Sequence, residues 1–318
     1  MAVNDKYITL NDGRKIPQLA LGTWNNVDSE NTVNSVYEAI KIGYRHIDTA
    51  AIYKNEEEVG RGIKKAIDEG IVKREDLFVT TKLWGTQQRM SQQAIKQSLA
   101  RLGLDYVDLY LIHWPVALKS RTIDPSDPKN YLTIPMKPDE PDVRDIDINW
   151  TFVDTYLTLQ HLQREGLTKS IGVSNFSINN LKNLFKHPLF KVKPAVNQVE
   201  VHPLFPQDEL IEFCKSEGIV IEAYSPLGAS DSPILKNETL IEIAKKLNID
   251  VAQVCISWAL QRGYVVLPKS SKVDRIRRNF ENLVELSDED FKVVSDLKEK
   301  YGEKRFVEPD FTPFKVFE

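Results

Sequence analysis

The chain of 318 residues sets 42 Lys and Arg against 46 Asp and Glu, a formal net charge of −4, which provides no bulk attraction for nucleic acid or an anionic membrane. Size scaling gives about 13,000 Å² of surface folded against about 53,000 Å² unfolded, so a large core is available without disulfides or a metal. With 42% hydrophobic and 28% charged residues, and only 14 Gly and 16 Pro, the composition excludes disorder and collagen-like structure.

The chain opens on a short hairpin, residues 8–10 and 14–16 about the turn Asn11-Asp12-Gly13. Eight strands are then predicted, at 19–21, 45–48, 77–81, 107–113, 170–174, 195–200, 220–224 and 265–268. Helices fall between them at 32–42, 56–69, 92–102, 152–165, 179–185, 208–217, 240–246 with 251–261, and 275–279. Gly43, Gly70, Gly103, Gly166 and Gly218 each follow a helical run, where a left-handed residue ends a helix at low cost. Runs such as Val107-Asp108-Leu109-Tyr110-Leu111-Ile112 suit parallel strands buried on both faces. An eightfold βα barrel of about 250 residues needs about 31 residues per unit, and most strand starts are roughly that far apart.

The fold expected is therefore a single (β/α)8 barrel domain over residues 1–318, with an N-terminal hairpin and long loops at the carboxyl end of the strands. The excess length goes to insertions at 116–149 and 225–238, a final amphipathic helix at 288–300, and a tail at 302–318. Phe306, Phe311, Phe314 and Phe317 make that tail a docked segment. Cys214 and Cys255 lie in apolar stretches without a histidine partner, and read as buried thiols of a reducing, cytoplasmic compartment. The first residues lack signal or transit character, and no apolar run approaches membrane-spanning length. Monomer and dimer are both left open.

In a barrel the chemistry gathers where the strands end. Asp48 ends the second strand with Tyr53 in the loop beyond it, Lys82 ends the third, and His113 ends the fourth. Taken singly, each has a structural explanation as a cap, a packing aromatic, a solvated charge or a buried imidazole. Together they suit protonation of an oxygen. An ammonium about 4 Å from a phenol is worth about 4 kcal/mol at an effective dielectric of about 20, enough to move a phenol toward neutrality. Asp48 would hold that lysine and His113 would orient a carbonyl, so the set fits carbonyl reduction.

No side chain donates hydride, so a cofactor is required. Gly60-Arg61-Gly62 lacks the third glycine of the dinucleotide fingerprint and lies within a helix. The segment Leu267-Pro268-Lys269-Ser270-Ser271-Lys272, leading through Arg275, Arg277 and Arg278 to Asn279, instead follows the eighth strand, where barrels place phosphate sites. Gly172-Val173-Ser174-Asn175-Phe176 fails the nucleophile-elbow pattern at its fifth residue, and the five histidines have no metal spacing, so no metal site is assigned.

Gly43-Tyr44-Arg45-His46-Ile47-Asp48-Thr49-Ala50 with Tyr53, then Thr81-Lys82-Leu83-Trp84, Leu111-Ile112-His113-Trp114-Pro115, Gly172-Val173-Ser174-Asn175-Phe176 and Pro268-Lys269-Ser270 resemble the signature segments of the aldo-keto reductases, over essentially the whole chain. Ala223-Tyr224-Ser225-Pro226-Leu227-Gly228 and Thr312-Pro313-Phe314-Lys315-Val316-Phe317 are most similar to a fungal branch of glycerol dehydrogenases and carbonyl reductases. The resemblance implies NADPH or NADP+ as cofactor and a small carbonyl or polyol as substrate. Tyr53 would be the proton donor, tuned by Lys82 and Asp48, with His113 positioning the carbonyl.

It also implies that Ser174, Asn175 and Gln198 hold the nicotinamide amide and Tyr224 stacks on its ring, with Thr23, Trp24 and Asp48 also binding the cofactor. Ser225, Pro226, Leu227, Gly228, Ala229 and Ser230 would lie over the pyrophosphate, and Lys269, Ser270, Ser271, Arg275 and Asn279 would take the 2′-phosphate and adenine end. Trp24, Trp84 and Trp114 would line the substrate pocket with Tyr53 and His113. Arg278 stands where the family commonly has a carboxylate or amide. The alternatives are a pentose (xylose-type) reductase and a cofactor-binding regulatory subunit without activity.

Overall fold

The computed structural model describes residues 6–25, 28–120, 132–228 and 232–317. The hairpin pairs β1 (Tyr7–Thr9) with antiparallel β2 (Lys15–Pro17), one residue outward from the expected strands. The bond from Leu10 N to Arg14 O closes a wider loop than a two-residue turn would. Eight parallel strands follow in sequence order: β3 (Leu21–Gly22), β4 (His46–Asp48), β5 (Phe78–Leu83), β6 (Val107–Ile112), β7 (Thr168–Ser174), β8 (Val196–Glu200), β9 (Val220–Tyr224) and β10 (Val265–Leu267). The first and last meet, because Ala20 N donates to Val266 O at 2.9 Å, Val266 N to Gln18 O at 2.8 Å and Gly22 N to Pro268 O at 3.0 Å. The expected barrel is thus formed.

Helices α1 (Ser29–Ile42), α2 (Glu56–Asp68), α3 (Ser91–Leu102), α4 (Phe152–Arg164), α5 (Ile178–Phe185), α6 (Asp208–Ser216), α7 (Glu238–Leu247), α8 (Val251–Gln261) and α9 (Val273–Glu281) occupy the expected connections. Their starts are chemical: Thr151 and Asp154 form a reciprocal capping box on α4, and the Ser177 hydroxyl accepts from Asn180 N to cap α5. The five glycines expected to end helices all have positive φ, from +65° at Gly103 to +131° at Gly43. The expected last helix is instead two, α10 (Asp288–Ser295) and α11 (Leu297–Tyr301), broken at Asp296, a poor residue for a helix interior.

Between sheet and helices lies the main core, with Ile47, Val79, Ile112 and Val173 of the strands against Val36, Ile63, Leu99 and Leu159 of the helices. Gly60 and Gly62 serve this packing rather than a nucleotide. A Cβ on Gly60 would stand 2.3 Å from Leu102 O, and one on Gly62 2.8 Å from Val33 O, so α2 meets its neighbours backbone to backbone. Gly60→Ala is expected to cost about 1–3 kcal/mol despite alanine's better helix propensity, read as a lower urea midpoint. An unchanged midpoint would refute that packing.

The hairpin closes the amino-terminal end. Leu10 and Ile16 join Phe78, Leu109, Val196 and Val265 inside the barrel, and Asn11 Nδ2 donates to Pro194 O just before β8. At the other end, the loop after β6 and the tail pack together. Trp84, Trp114, Val116, Leu118, Leu132, Phe311 and Val316 form one apolar cluster. The tail is docked, as its aromatics suggest. Its fastening is polar, since the buried Glu200 carboxylate accepts from Phe306 N at 2.7 Å and Val307 N at 2.8 Å.

Candidate active site

Three of the four expected catalytic side chains meet at the carboxyl end of β4 and β5. Lys82 Nζ donates to Asp48 Oδ1 at 2.7 Å, to Thr49 O at 2.9 Å and to Tyr53 OH at 3.3 Å. In-register pairing of the two strands sets this geometry, with Asp48 opposite Thr80 and Lys82 one inward-facing position further along. Tyr53 is delivered by a short 3-10 turn, Ala51–Tyr53, immediately after β4. Lys82 is fully buried, and burial alone would lower its pKa. The charge of Asp48, with the hydrogen bonds to Asp48 and Tyr53, outweighs that and holds the ammonium above its ordinary range.

Tyr53 differs from the simple expectation. The rim of the barrel desolvates its hydroxyl and raises its pKa, Lys82 opposes this, and Asp48 adds to the rise, so the phenol lies above its ordinary value in the free protein. Proximity to Lys82 is as expected, but the net effect of the surroundings is a protonated phenol. His113 completes the group, its ring 5.7 Å from that of Tyr53. Burial and then the charge of Lys82 push its pKa well down, so the imidazole is neutral. Its Nδ1 is buried with no hydrogen-bond partner among the described residues. A bare lone pair there costs less than an orphaned N–H, so the proton belongs on Nε2, as a donor.

Trp24 and Trp84 flank the group, with ring centroids 5.0 Å from Tyr53 and 5.5 Å from His113 respectively. Trp24 is 58% exposed, a large aromatic left at the mouth. Trp114 packs on Phe311 and Phe317, where it supports the loop and tail. Next to the lysine network, Ser174 Oγ donates to Gln198 O at 2.8 Å and Asn175 Nδ2 to His113 O at 3.0 Å, while Tyr224 OH donates to Asn175 Oδ1 at 2.8 Å. Asn175 holds a left-handed φ of +62°, which swings its amide out of the line of β7. Thr23 Oγ1 donates to Asp48 O at 3.0 Å.

Ser225, Pro226, Leu227 and Gly228 lead off β9, with positive φ at Ser225 and Gly228; Ala229 and Ser230 lie outside the described residues. Beyond β10, Lys269 and Ser270 precede α9, whose first turn has no side-chain cap. Ser271 offers its carbonyl to Ser35, at 3.5 Å. Asn279 is buried, its Oδ1 accepting from Gln253 Nε2 at 2.8 Å, which leaves its amide hydrogens. The basic cluster divides. Arg277 pairs with Glu281 and Arg278 with Asp250, whereas no ion pair among the described residues engages Lys269, Lys272 or Arg275.

Two features escaped the sequence reading. Gln198 Nε2 donates both to Asp48 Oδ2 at 2.9 Å and to Glu222 Oε2 at 2.7 Å, so Glu222 extends the polar network into the barrel. His202 Nε2 lies 2.9 Å from Glu200 Oε1, backing the carboxylate that holds the tail. Glu222 is signalled only by its alternation with apolar neighbours in Val220–Tyr224, and Glu200 only as the polar end of Val196–Glu200.

A parallel barrel whose strand ends assemble an aspartate, a lysine and a tyrosine beside a neutral histidine has the arrangement expected above of an oxidoreductase that acts on a carbonyl. Residues 18–299 match the model of the Aldo/keto reductase family, and the chain belongs to that family. It is similar to two proteins of Saccharomyces cerevisiae: a glycerol 2-dehydrogenase (NADP(+)), 54% identical over 98% of this chain and 97% of that one, and the aldehyde reductase YPR1, 52% identical over 98% and 96%. Among solved structures, a Bombyx mori aldo-keto reductase in complex with NADP superposes with a TM-score of 0.82 at 36% identity, covering 96% of each chain. The chain is an NADP-dependent oxidoreductase. No helix among the described residues is long and apolar enough to cross a membrane.

Proposed function

We propose that this protein reduces aldehydes and ketones to alcohols with NADPH, reversibly toward polyols such as glycerol, as one catalytic domain of the cytoplasm. The observation that carries the reading is the buried Lys82 ammonium bonded at once to Asp48 and to Tyr53 OH. Tyr53, held protonated, gives its proton to the carbonyl oxygen as negative charge develops there, and Lys82 stabilises the phenolate left behind. His113 Nε2–H fixes the carbonyl by a hydrogen bond. Trp24 and Trp84 exclude water from one side.

When bound, NADPH supplies the hydride. The residues present fit it: Ser174, Asn175 and Gln198 offer amide-binding groups, Tyr224 a ring for the nicotinamide face, and Lys269 with Arg275 cations for the 2′-phosphate. Arg275→Ala is expected to weaken NADPH by about 10- to 100-fold and NADH by less than about threefold, through loss of a charge-assisted contact. Equal weakening of both, measured by fluorescence titration, would refute a 2′-phosphate site there. The direction of reaction and the natural substrate are tested by comparing NADPH oxidation on dihydroxyacetone, xylose, aromatic aldehydes and keto esters with NADP+ reduction on glycerol. No turnover across that panel, with NADPH bound, would point to the regulatory alternative.

A further inference from the structure

The chain of charged and polar groups that ends on Tyr53 runs deeper than Asp48. Gln198 and Glu222 stand opposite each other in the parallel register of β8 and β9, and both point into the barrel. Glu222 is completely buried. Its Oε1 has no hydrogen-bond partner among the described residues and lies 3.7 Å from His46 Nε2, while His46 itself is occupied by Pro17 O and Thr80 Oγ1. A carboxyl group sealed in a barrel is costly unless it is hydrogen-bonded or neutralised, and only one Glu222 oxygen has a hydrogen-bond partner among the described residues, while no step of the reaction described above involves it.

A primary amide has two hydrogens on nitrogen and one accepting oxygen. Gln198 gives both hydrogens to carboxyl groups, Asp48 on one side and Glu222 on the other. Turning the amide over would set its oxygen against the Asp48 carboxylate, so its nitrogen end is fixed. Its oxygen end remains an acceptor to which no described residue donates. We propose that Glu222 is a positioning residue for the cofactor: by taking the second amide hydrogen of Gln198, it keeps the Gln198 oxygen as the acceptor for the carboxamide NH2 of a nicotinamide. The inference rests on the NADPH reading above.

Burial, and then the charge of Asp48, push the Glu222 carboxyl up to about 8, so it is protonated near neutrality. A neutral Glu222 lets Asp48 remain the one carboxylate balancing Lys82.

The test compares binding of NADP+, of its 3-acetylpyridine analogue, in which a methyl replaces the carboxamide NH2, and of 2′,5′-ADP, which carries only the phosphate end. The wild-type protein is expected to prefer NADP+ over the analogue by about tenfold, the worth of one hydrogen bond. Glu222→Leu should reduce that preference to about twofold or less with 2′,5′-ADP affinity unchanged, and Glu222→Gln, whose amide oxygen still accepts from Gln198, should keep most of it. Glu222→Met serves the same purpose if the leucine variant does not fold. A wild-type preference in the leucine or methionine variant, or a parallel loss of 2′,5′-ADP binding, would overturn the inference. Failure of the wild-type protein to bind NADP+ at all would instead overturn the functional reading on which it rests.

Discussion

Tyr53→Phe is expected to lower kcat for aldehyde reduction by about 10²- to 10⁴-fold, the range typical for loss of a positioned general acid. The ring remains in contact with Trp24 and His113, so KM for NADPH should move little. A second signature lies in the pH profile. Because the phenol is held above its ordinary pKa of about 10, wild-type reduction should persist through neutral pH and fall only at strongly alkaline pH, where the phenol ionises and can no longer donate. The residual activity of the phenylalanine variant should lack that alkaline limb. Turnover near the wild-type level would dismiss Tyr53 as the donor.

Lys82→Met should do two kinds of damage at once. Activity falls because the phenolate left after proton transfer loses its neighbouring cation. Stability falls by about 3–5 kcal/mol, because Asp48, buried at the end of β4, is left with its charge uncompensated. The double variant Asp48→Asn with Lys82→Met separates the two effects. It should regain much of the lost stability, measured as the urea midpoint, while remaining inactive. If Lys82→Met alone were as stable as the wild type, the ion pair would not be the buried element the structure shows.

How far the sequence alone reached depended on what kind of signal each residue leaves. The eight barrel strands were legible from their even spacing between glycine-stopped helices, and β6 most clearly, because burial on both faces leaves it a nearly continuous apolar run. Asp48, Lys82 and His113 were legible because each is a polar residue at the point where such a run stops. Glu222 was not, since it sits in mid-strand within Val220–Tyr224 and its partner Gln198 comes from a separate strand. The pairing of Arg278 with Asp250 was equally hidden. It joins α9 to the start of α8, and it withdraws a charge that the linear cluster had seemed to offer a phosphate. The direction of the Tyr53 shift was misjudged for a related reason: the sequence shows which charge stands nearby but not how much water the folded rim excludes.

The clasp between Glu200 and the tail has a consequence for how this enzyme can diversify. The carboxylate grips the main-chain N–H groups of Phe306 and Val307, which every residue except proline possesses. The side chains of Phe306 and Val307 can therefore be exchanged, proline excepted, without undoing that clasp, whereas Phe311 and Val316 are held by their own burial.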